Sequence, residues 1–354
     1  MSVAQYAIVA VVALGVTVGV TPLVRTAGNR WGIVSHPGGR HVHSGVVPRI
    51  GGLAMFTGIA AGLLTQYLGE RFWGFDNVLA TLGRPGIGVM LGAALMFAVG
   101  FLDDIFDLRP WQKLIGQVAA AGVVVALGLK ISFVSNPFGG SIFLLGVLSV
   151  PLTIFWIVGF ANVVNLIDGL AAGVTAIAAA SFLVLGVQGN VFGAALFAAA
   201  LLGACIGFLR YNFNPASIFM GDSGALFLGF VLACIALLGV MKSVAAITLV
   251  VPLLIVGVPI FDTLSAIIRR TRHGQPIQTA DKGHIHHRLL GRGFNQRQTV
   301  LIIYVWSIAL AVGGYAMRWS PPVFRVITLV VLAALSGLMA YWLGLFEAAH
   351  HTDE

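Results

Sequence analysis

Charge is scarce in this chain: only 9% of its 354 residues are Asp, Glu, Lys or Arg. Soluble domains run near 25% charged, so a water-facing globular surface cannot be covered, and a soluble α/β enzyme and a disordered tail are both excluded. Cysteine is nearly absent as well. The two present, Cys205 and Cys234, lie inside apolar runs; they read as small buried hydrophobes and exclude a disulfide-stapled secreted module. No basic n-region precedes the first apolar run, 3–24, which is too long for a signal h-region and reads as an uncleaved first span. No internal repeat is visible, which disfavours an inverted-repeat transporter using intramembrane acids as a relay. Acids are the rarer sign, 12 against 20 Lys and Arg. The resulting net charge of +8 is read first through the positive-inside rule, not as nucleic-acid binding.

What the chain has instead is apolar length. Hydrophobic residues make up 58%, and runs of about 20 residues, enough to cross a bilayer core of about 30 Å, recur from end to end. They predict an all-α polytopic membrane protein of about 11 helices, near 3–24, 50–69, 86–102, 114–131, 142–161, 172–188, 191–209, 225–240, 244–265, 299–317 and 322–345. The loops expected at 25–49, 103–113, 162–171, 210–224 and 266–298 hold 14 of the 20 Lys and Arg; Arg71, Arg84, Lys130, Lys242, Arg318 and Arg325 lie on the other side. Those loops are therefore expected to be cytoplasmic, with the N-terminus outside and the C-terminus inside, in one membrane domain over 1–354. Asp103, Asp104, Asp107, Asp168, Asp222, Asp262, Asp281 and all nine histidines fall on that same side. Ionisable groups near membrane depth are costly and mark function, so the chemistry is expected at the cytoplasmic face.

Five segments carry it. Asp103, Asp104 and Asp107 crowd one span end, a repulsive arrangement unless a cation such as Mg²⁺ compensates it. Pro110 suits the first turn of the next helix and would place Lys113 there as a point charge for phosphate; an acidic helix cap is the plain alternative. Asn162, Asn165 and Asp168 recur at three-residue spacing in an otherwise apolar helix, able to ligate a metal or hold phosphate and sugar oxygens, or to serve as interhelical amide glue. Asp222 stands between Gly221 and Ser223-Gly224 before a long span, either at a closely approached ligand or as an N-cap. Asp262 follows Pro259 near a span end, where a kinked helix with a capping Asp is equally open. The basic 266–298 loop contains His284, His286, His287 and Arg288, better suited to phosphate or uracil-type groups than to zinc, because no Cys helps. Arg269, Arg270 and Arg272 read as ordinary positive-inside residues.

In order and spacing, Pro48-Arg-Ile-Gly-Gly52, the Asp103-Asp104 pair, the Asn-rich segment ending Asp168-Gly169, Met220-Gly-Asp-Ser-Gly224, Pro259-Ile-Phe-Asp-Thr263 and His284-Ile-His-His-Arg288 resemble the polyprenyl-phosphate N-acetylhexosamine-1-phosphate transferase family, glycosyltransferase 4 type. The likeness spans about residues 32–292 and is closer to the WecA/TagO-like branch than to MraY, whose loop typically has three successive histidines; Ser35 stands where the family usually has Asp. The resemblance implies transfer of a sugar 1-phosphate, GlcNAc-1-phosphate foremost, from a UDP-sugar to an undecaprenyl-type polyprenyl phosphate. UMP is released and polyprenyl-diphosphate-sugar remains, the first membrane step of a cell-envelope glycan pathway at a bacterial plasma membrane. MurNAc-pentapeptide or another UDP-N-acetylhexosamine is the alternative donor. The resemblance further implies Mg²⁺, with Mn²⁺ as a substitute, on Asp222 with Asn165 assisting; Asp103 and Asp104 at the lipid phosphate; Asp168 at the nucleotide or metal; Lys113 and Asn162 on substrate; and His284, His286, His287 and Arg288 over the UDP-sugar. A homodimer is compatible with it, and no nucleic-acid partner is expected.

The charge split yields a direct check on orientation. A cysteine placed at Gln275 in a Cys-free background is expected to escape an impermeant thiol reagent added to intact cells. Robust labelling there would reverse the topology.

Overall fold

The computed structural model describes residues 3–35, 46–135, 142–167, 170–241, 250–272, 274 and 283–347. They form two compact units, Met1–Leu249 and Val250–Glu354. In the first unit, α1 (Val3–Trp31) leads through a minimal hairpin, β1 (Val34–Ser35) and β2 (Val47–Pro48), into α2 (Gly52–Phe72), α3 (Val78–Phe106) and α4 (Pro110–Ala126). A second hairpin, β3 (Phe133–Ser135) and β4 (Ile142–Leu144), precedes α5 (Ser149–Asn165), α6 (Ala171–Gln188), α7 (Phe192–Asn212) and α8 (Gly221–Met241). Both hairpins are antiparallel, with Val34 opposite Pro48 and Phe133 opposite Leu144. The all-α expectation contained neither; they satisfy loop backbone groups that would otherwise lack partners.

The order of enclosure identifies the centre of this unit. Of the apolar window of each helix, 89% is buried in α8 and 78% in α7, against 28% in α1. α8 is thus the inner post, and its Phe227, Phe230, Leu226 and Leu228 are fully enclosed. Close approach to it depends on small residues, as in other membrane bundles. A Cβ on Gly100 of α3 would stand 2.5 Å from the Asp222 carbonyl oxygen and 2.6 Å from Ser223 Cα. At the end of the unit far from Asp222, buried Gln66 donates to Glu70 Oε1 at 2.9 Å and to the Asp76 carbonyl at 3.0 Å, tying α2 to the segment that opens α3.

The second unit contains α9 (Val250–Ile255), α10 (Gly257–Arg272), α11 (Ile285–Gly291), α12 (Gln296–Trp319) and α13 (Pro322–Trp342). Asn295 caps α12 reciprocally: its Oδ1 accepts from Gln298 N, and its own N–H donates to Gln298 Oε1, both at 2.9 Å. α13 ends where Gly344 turns left-handed at φ +64, so Leu345 N donates to Ala340 O at 3.0 Å and Gly344 N to Tyr341 O at 2.9 Å, a Schellman closure.

Nine helices among the described residues are long and apolar enough to cross a membrane, and all nine coincide with expected spans, so the protein is a polytopic membrane protein. The other two expected spans differ. α4 is only 17 residues long. In the span expected at 244–265, residues 244–249 lie outside the described set and the rest is broken at Val256, between α9 and α10; α10 carries Asp262 and the buried Arg269 and Arg270 and is amphipathic, not uniformly apolar. Sequence reads those two arginines as ordinary positive-inside residues; their burial adds a structural role, Arg269 Nη1 donating to the Leu345 carbonyl at 2.5 Å.

Gly100→Ala is expected to destabilise the detergent-solubilised protein by about 1–3 kcal/mol, because the added methyl meets backbone atoms that cannot rotate away. The check is a thermal melt; an unchanged midpoint would show that α3 and α8 can part without cost.

Candidate active site

One end of the first unit gathers the starts of α2, α4 and α8 with the ends of α3 and α5. The gathering begins in the backbone. Phe219 N donates to Pro48 O at 2.8 Å, Gly51 N to Phe219 O at 2.9 Å and Gly52 N to Met220 O at 2.8 Å, pinning the Pro-Arg-Ile-Gly-Gly segment alongside residues 219–220. Gly221 follows at φ +69, where an added Cβ would run into the Arg49 carbonyl and the Asp104 carboxylate. Only glycine satisfies both the dihedral and the space.

Asp104 is 4% exposed, and both its oxygens are engaged. Oδ1 accepts from Asp222 N at 2.8 Å and Oδ2 from Ser223 N at 3.0 Å. A carboxylate from α3 thus satisfies orphan amides of α8 and complements its dipole. Arg49 closes the outside, its Nη2 donating to the Asp104 carbonyl at 3.1 Å and to Asp107 Oδ1 at 2.7 Å.

Beside this cap sits a denser charge group. Asp103 Oδ1 accepts from Leu108 N at 2.9 Å, and its Oδ2 receives Lys113 Nζ at 2.9 Å. The same ammonium bonds Asp222 Oδ2, so Lys113 lies between two carboxylates. Asn165 Nδ2 approaches that Asp222 oxygen at 3.4 Å. A cavity of about 210 Å³ opens here, lined among others by Ser35, Arg49, Asp103, Asn165, Asn212 and Asp222.

The second unit holds its own polar group. Asp262, buried on α10, accepts from Ile285 N at 2.9 Å through Oδ1 and lies 3.0 Å from His284 Nδ1 through Oδ2. His284 and His286 are nearly parallel with centroids 6.3 Å apart, and His286 and His287 lie 4.0 Å apart at 37°.

A model of glycosyl transferase family 4 matches residues 87–240, from within α3 to the end of α8. A probable undecaprenyl-phosphate N-acetylglucosaminyl 1-phosphate transferase of Bacillus subtilis is 39% identical over 84% of this chain and 81% of its own length. The chain belongs to glycosyl transferase family 4. Other relatives in the family include a decaprenyl-phosphate N-acetylglucosaminephosphotransferase of Mycolicibacterium smegmatis, 38% identical over 90% of this chain and 83% of that protein. A phospho-N-acetylmuramoyl-pentapeptide-transferase of Halalkalibacterium halodurans is 32% identical over 76% of this chain and 82% of its own.

Of the family residues expected from sequence, Asp103, Lys113, Asn165 and Asp222 come together. Asp104 adjoins them with its oxygens committed to α8. Asn162 is one turn back and exchanges amide hydrogen bonds with buried Gln117, at 2.7 and 3.2 Å, which is the interhelical-glue alternative. Asp168 lies outside the described residues. Arg288 Nη2 donates to the Glu347 carbonyl at 2.6 Å. Sequence reasoning missed Arg49 and Asn212 as lining residues. Arg49 was counted as a topology charge although it sits inside the Pro-Arg-Ile-Gly-Gly segment. Asn212 opens the Asn-Phe-Asn-Pro segment; its buried Oδ1 has no hydrogen-bond partner among the described residues, while its Nδ2 holds Ile218 O at 3.1 Å.

The donor set fits a hard divalent cation. Asp103, Asp222 and the Asn165 amide offer the oxygen ligands such ions take, and the Lys113 ammonium between the carboxylates marks a position that favours positive charge. Among the described residues no three His, Cys, Asp or Glu converge on one point. One or two carboxylates would therefore hold Mg²⁺, with phosphate oxygens and water completing its shell.

Asp104→Asn replaces a doubly accepting carboxylate with a group that can accept at one atom only. It is expected to cost about 1.5–3 kcal/mol of stability, the scale of a hydrogen bond to a charged group, seen as a lower melting temperature. An unshifted melt would show that α8 does not depend on this cap.

Proposed function

We propose that this protein transfers GlcNAc-1-phosphate from UDP-GlcNAc to a polyprenyl phosphate, releasing UMP and leaving polyprenyl-diphosphate-GlcNAc. The observation that carries the reading is the Lys113 ammonium held between Asp103 and Asp222, two carboxylates that line a cavity at one end of a membrane bundle. Phosphoryl transfer asks the protein mainly for positioning and charge neutralisation. An oxygen of the lipid phosphate attacks the sugar-bearing phosphorus of the donor, and the bond from that phosphorus to the bridging oxygen breaks as UMP departs. Lys113 holds phosphate oxygens during this exchange, and Arg49 adds a second cation at the cavity wall. Asp103 orients Lys113 and stands where a proton on the lipid phosphate could be accepted. Asp104 is a positioning residue: it fixes the start of α8 and hence the backbone of Asp222.

Asp222, with Asn165 assisting, would hold Mg²⁺ or Mn²⁺, and the charge such an ion supplies would offset that of the diphosphate. His284, His286 and His287 meet the soluble UDP-sugar. The site faces the cytoplasm of a bacterial plasma membrane, as the distribution of Lys and Arg favours. The pentapeptide-transferring relative supports a second reading in which UDP-MurNAc-pentapeptide is the donor. Parallel assays with the two radiolabelled donors and undecaprenyl phosphate separate them through the lipid product formed.

Asp222→Asn is expected to remove UMP release by more than a hundredfold, about 2.7 kcal/mol or more of transition-state stabilisation, while leaving the folded yield and melting temperature near those of wild type. Chelation is expected to silence the wild-type enzyme and added Mg²⁺ or Mn²⁺ to restore it. Near-normal turnover of the Asn variant at saturating Mg²⁺ would reduce Asp222 to a helix-terminus residue.

A further inference from the structure

The helix that carries His286 and His287 is physically weak. α11 has 7 residues, and isolated helices below about 12–15 residues are marginal in water. Its geometry therefore depends on what grips its two ends. Asp262 grips the first through Ile285 N and His284. The second is gripped by a part of the chain that carries no motif. Arg288 donates to the Glu347 carbonyl at 2.6 Å, and the guanidinium of Arg292, the C-cap residue, sits 4.6 Å from the centre of the Trp342 ring. Phe294 meets the same ring edge-on at 6.2 Å. From α10, buried Arg269 donates to the Leu345 carbonyl at 2.5 Å. The left-handed Gly344 reverses the chain after α13, and Leu345 is fully buried behind it. Three arginines thus converge on the short stretch 342–347.

We propose that this turn is the positioning element for the His284, His286 and His287 imidazoles, and that Arg288, Arg292 and Trp342 are positioning residues, not substrate contacts. The inference rests on the reading that those imidazoles meet the UDP-sugar. Each residue of helical slip rotates a side chain by about 100°, so a helix released at its second end loses the ring arrangement even when Asp262 still holds the first. The Arg292 cation over an aromatic face and the charge-assisted Arg288 bond resist that slip together, while Arg269 fastens the turn itself to α10.

The test uses the full-length protein in detergent, with Trp342→Ala, Trp342→Phe, a stop after Leu343 and, as control, a stop after Glu347. Hydrogen–deuterium exchange at residues 285–291 reads the helix directly, and KM for UDP-GlcNAc and for polyprenyl phosphate are measured separately. Trp342→Ala is expected to speed exchange of α11 by roughly tenfold and to raise KM for UDP-GlcNAc by a similar factor, leaving KM for the lipid and kcat within about twofold. Trp342→Phe keeps an aromatic face and should return both readouts towards wild type; the stop after Leu343 should exceed Trp342→Ala, and the control should match wild type. Unchanged exchange of α11 in Trp342→Ala overturns the proposal, as does a parallel rise in both KM values. If the stop after Leu343 fails to fold, the Trp342 pair decides alone. A wild-type enzyme inert towards UDP-GlcNAc would refute the donor assignment, and the exchange readout would still judge the positioning claim.

Discussion

The start of α8 is packed against the end of α3, where Ser223 is fully buried, so its opening backbone N–H groups are shielded from water. Each such group left unsatisfied costs several kcal/mol in an apolar medium, so the start of α8 needs an acceptor from elsewhere in the chain. Asp104 is that acceptor, reaching from the end of α3 to the amides of Asp222 and Ser223. The rest of the site follows from this bond. It brings the α3 terminus against α8, which needs Gly100 and Gly221 free of side chains, and it sets the backbone that carries Asp222. A buried carboxylate committed in this way is structural in its own contacts and functional in its effect.

Charge balance governs the next layer outward. Asp103, Asp104, Asp107 and Asp222 would repel one another in so small a volume, and the structure answers with Lys113 between Asp103 and Asp222 and Arg49 on Asp107. Under the proposed function, diphosphate oxygens would exchange with carboxylates around the same ammonium. One turn back along α5, the Asn162–Gln117 amide pair holds α4 to α5, which keeps Lys113 and Asn165 in register.

The second unit uses the same device on a smaller scale. Asp262 satisfies the start of α11 as Asp104 satisfies the start of α8, in both cases a buried carboxylate accepting from a helix-opening amide on a distant segment. In each unit a buried acid spends its oxygens on holding another segment in place.

Membrane class, family, the positions of nine spans and the roster of acids and bases were all legible in the sequence, because apolar length and motif spacing are properties of contiguous residues. So was the grouping of Asp103, Lys113, Asn165 and Asp222, since their motif positions imply a common end of the bundle. Tertiary structure decided which partner each acid has: both Asp104 and Asp222 line the cavity, with Asp222 bonded to Lys113 and Asp104 accepting from the start of α8. It also moved Asn162 into an amide pair, buried Arg269 and Arg270 in α10, and turned Arg288 towards Glu347. Each of these depends on a partner many residues away, 118 for Asp104 with Asp222 and 59 for Arg288 with Glu347. Local sequence states that a polar side chain in an apolar segment must be satisfied, but only the packed bundle supplies the group that satisfies it.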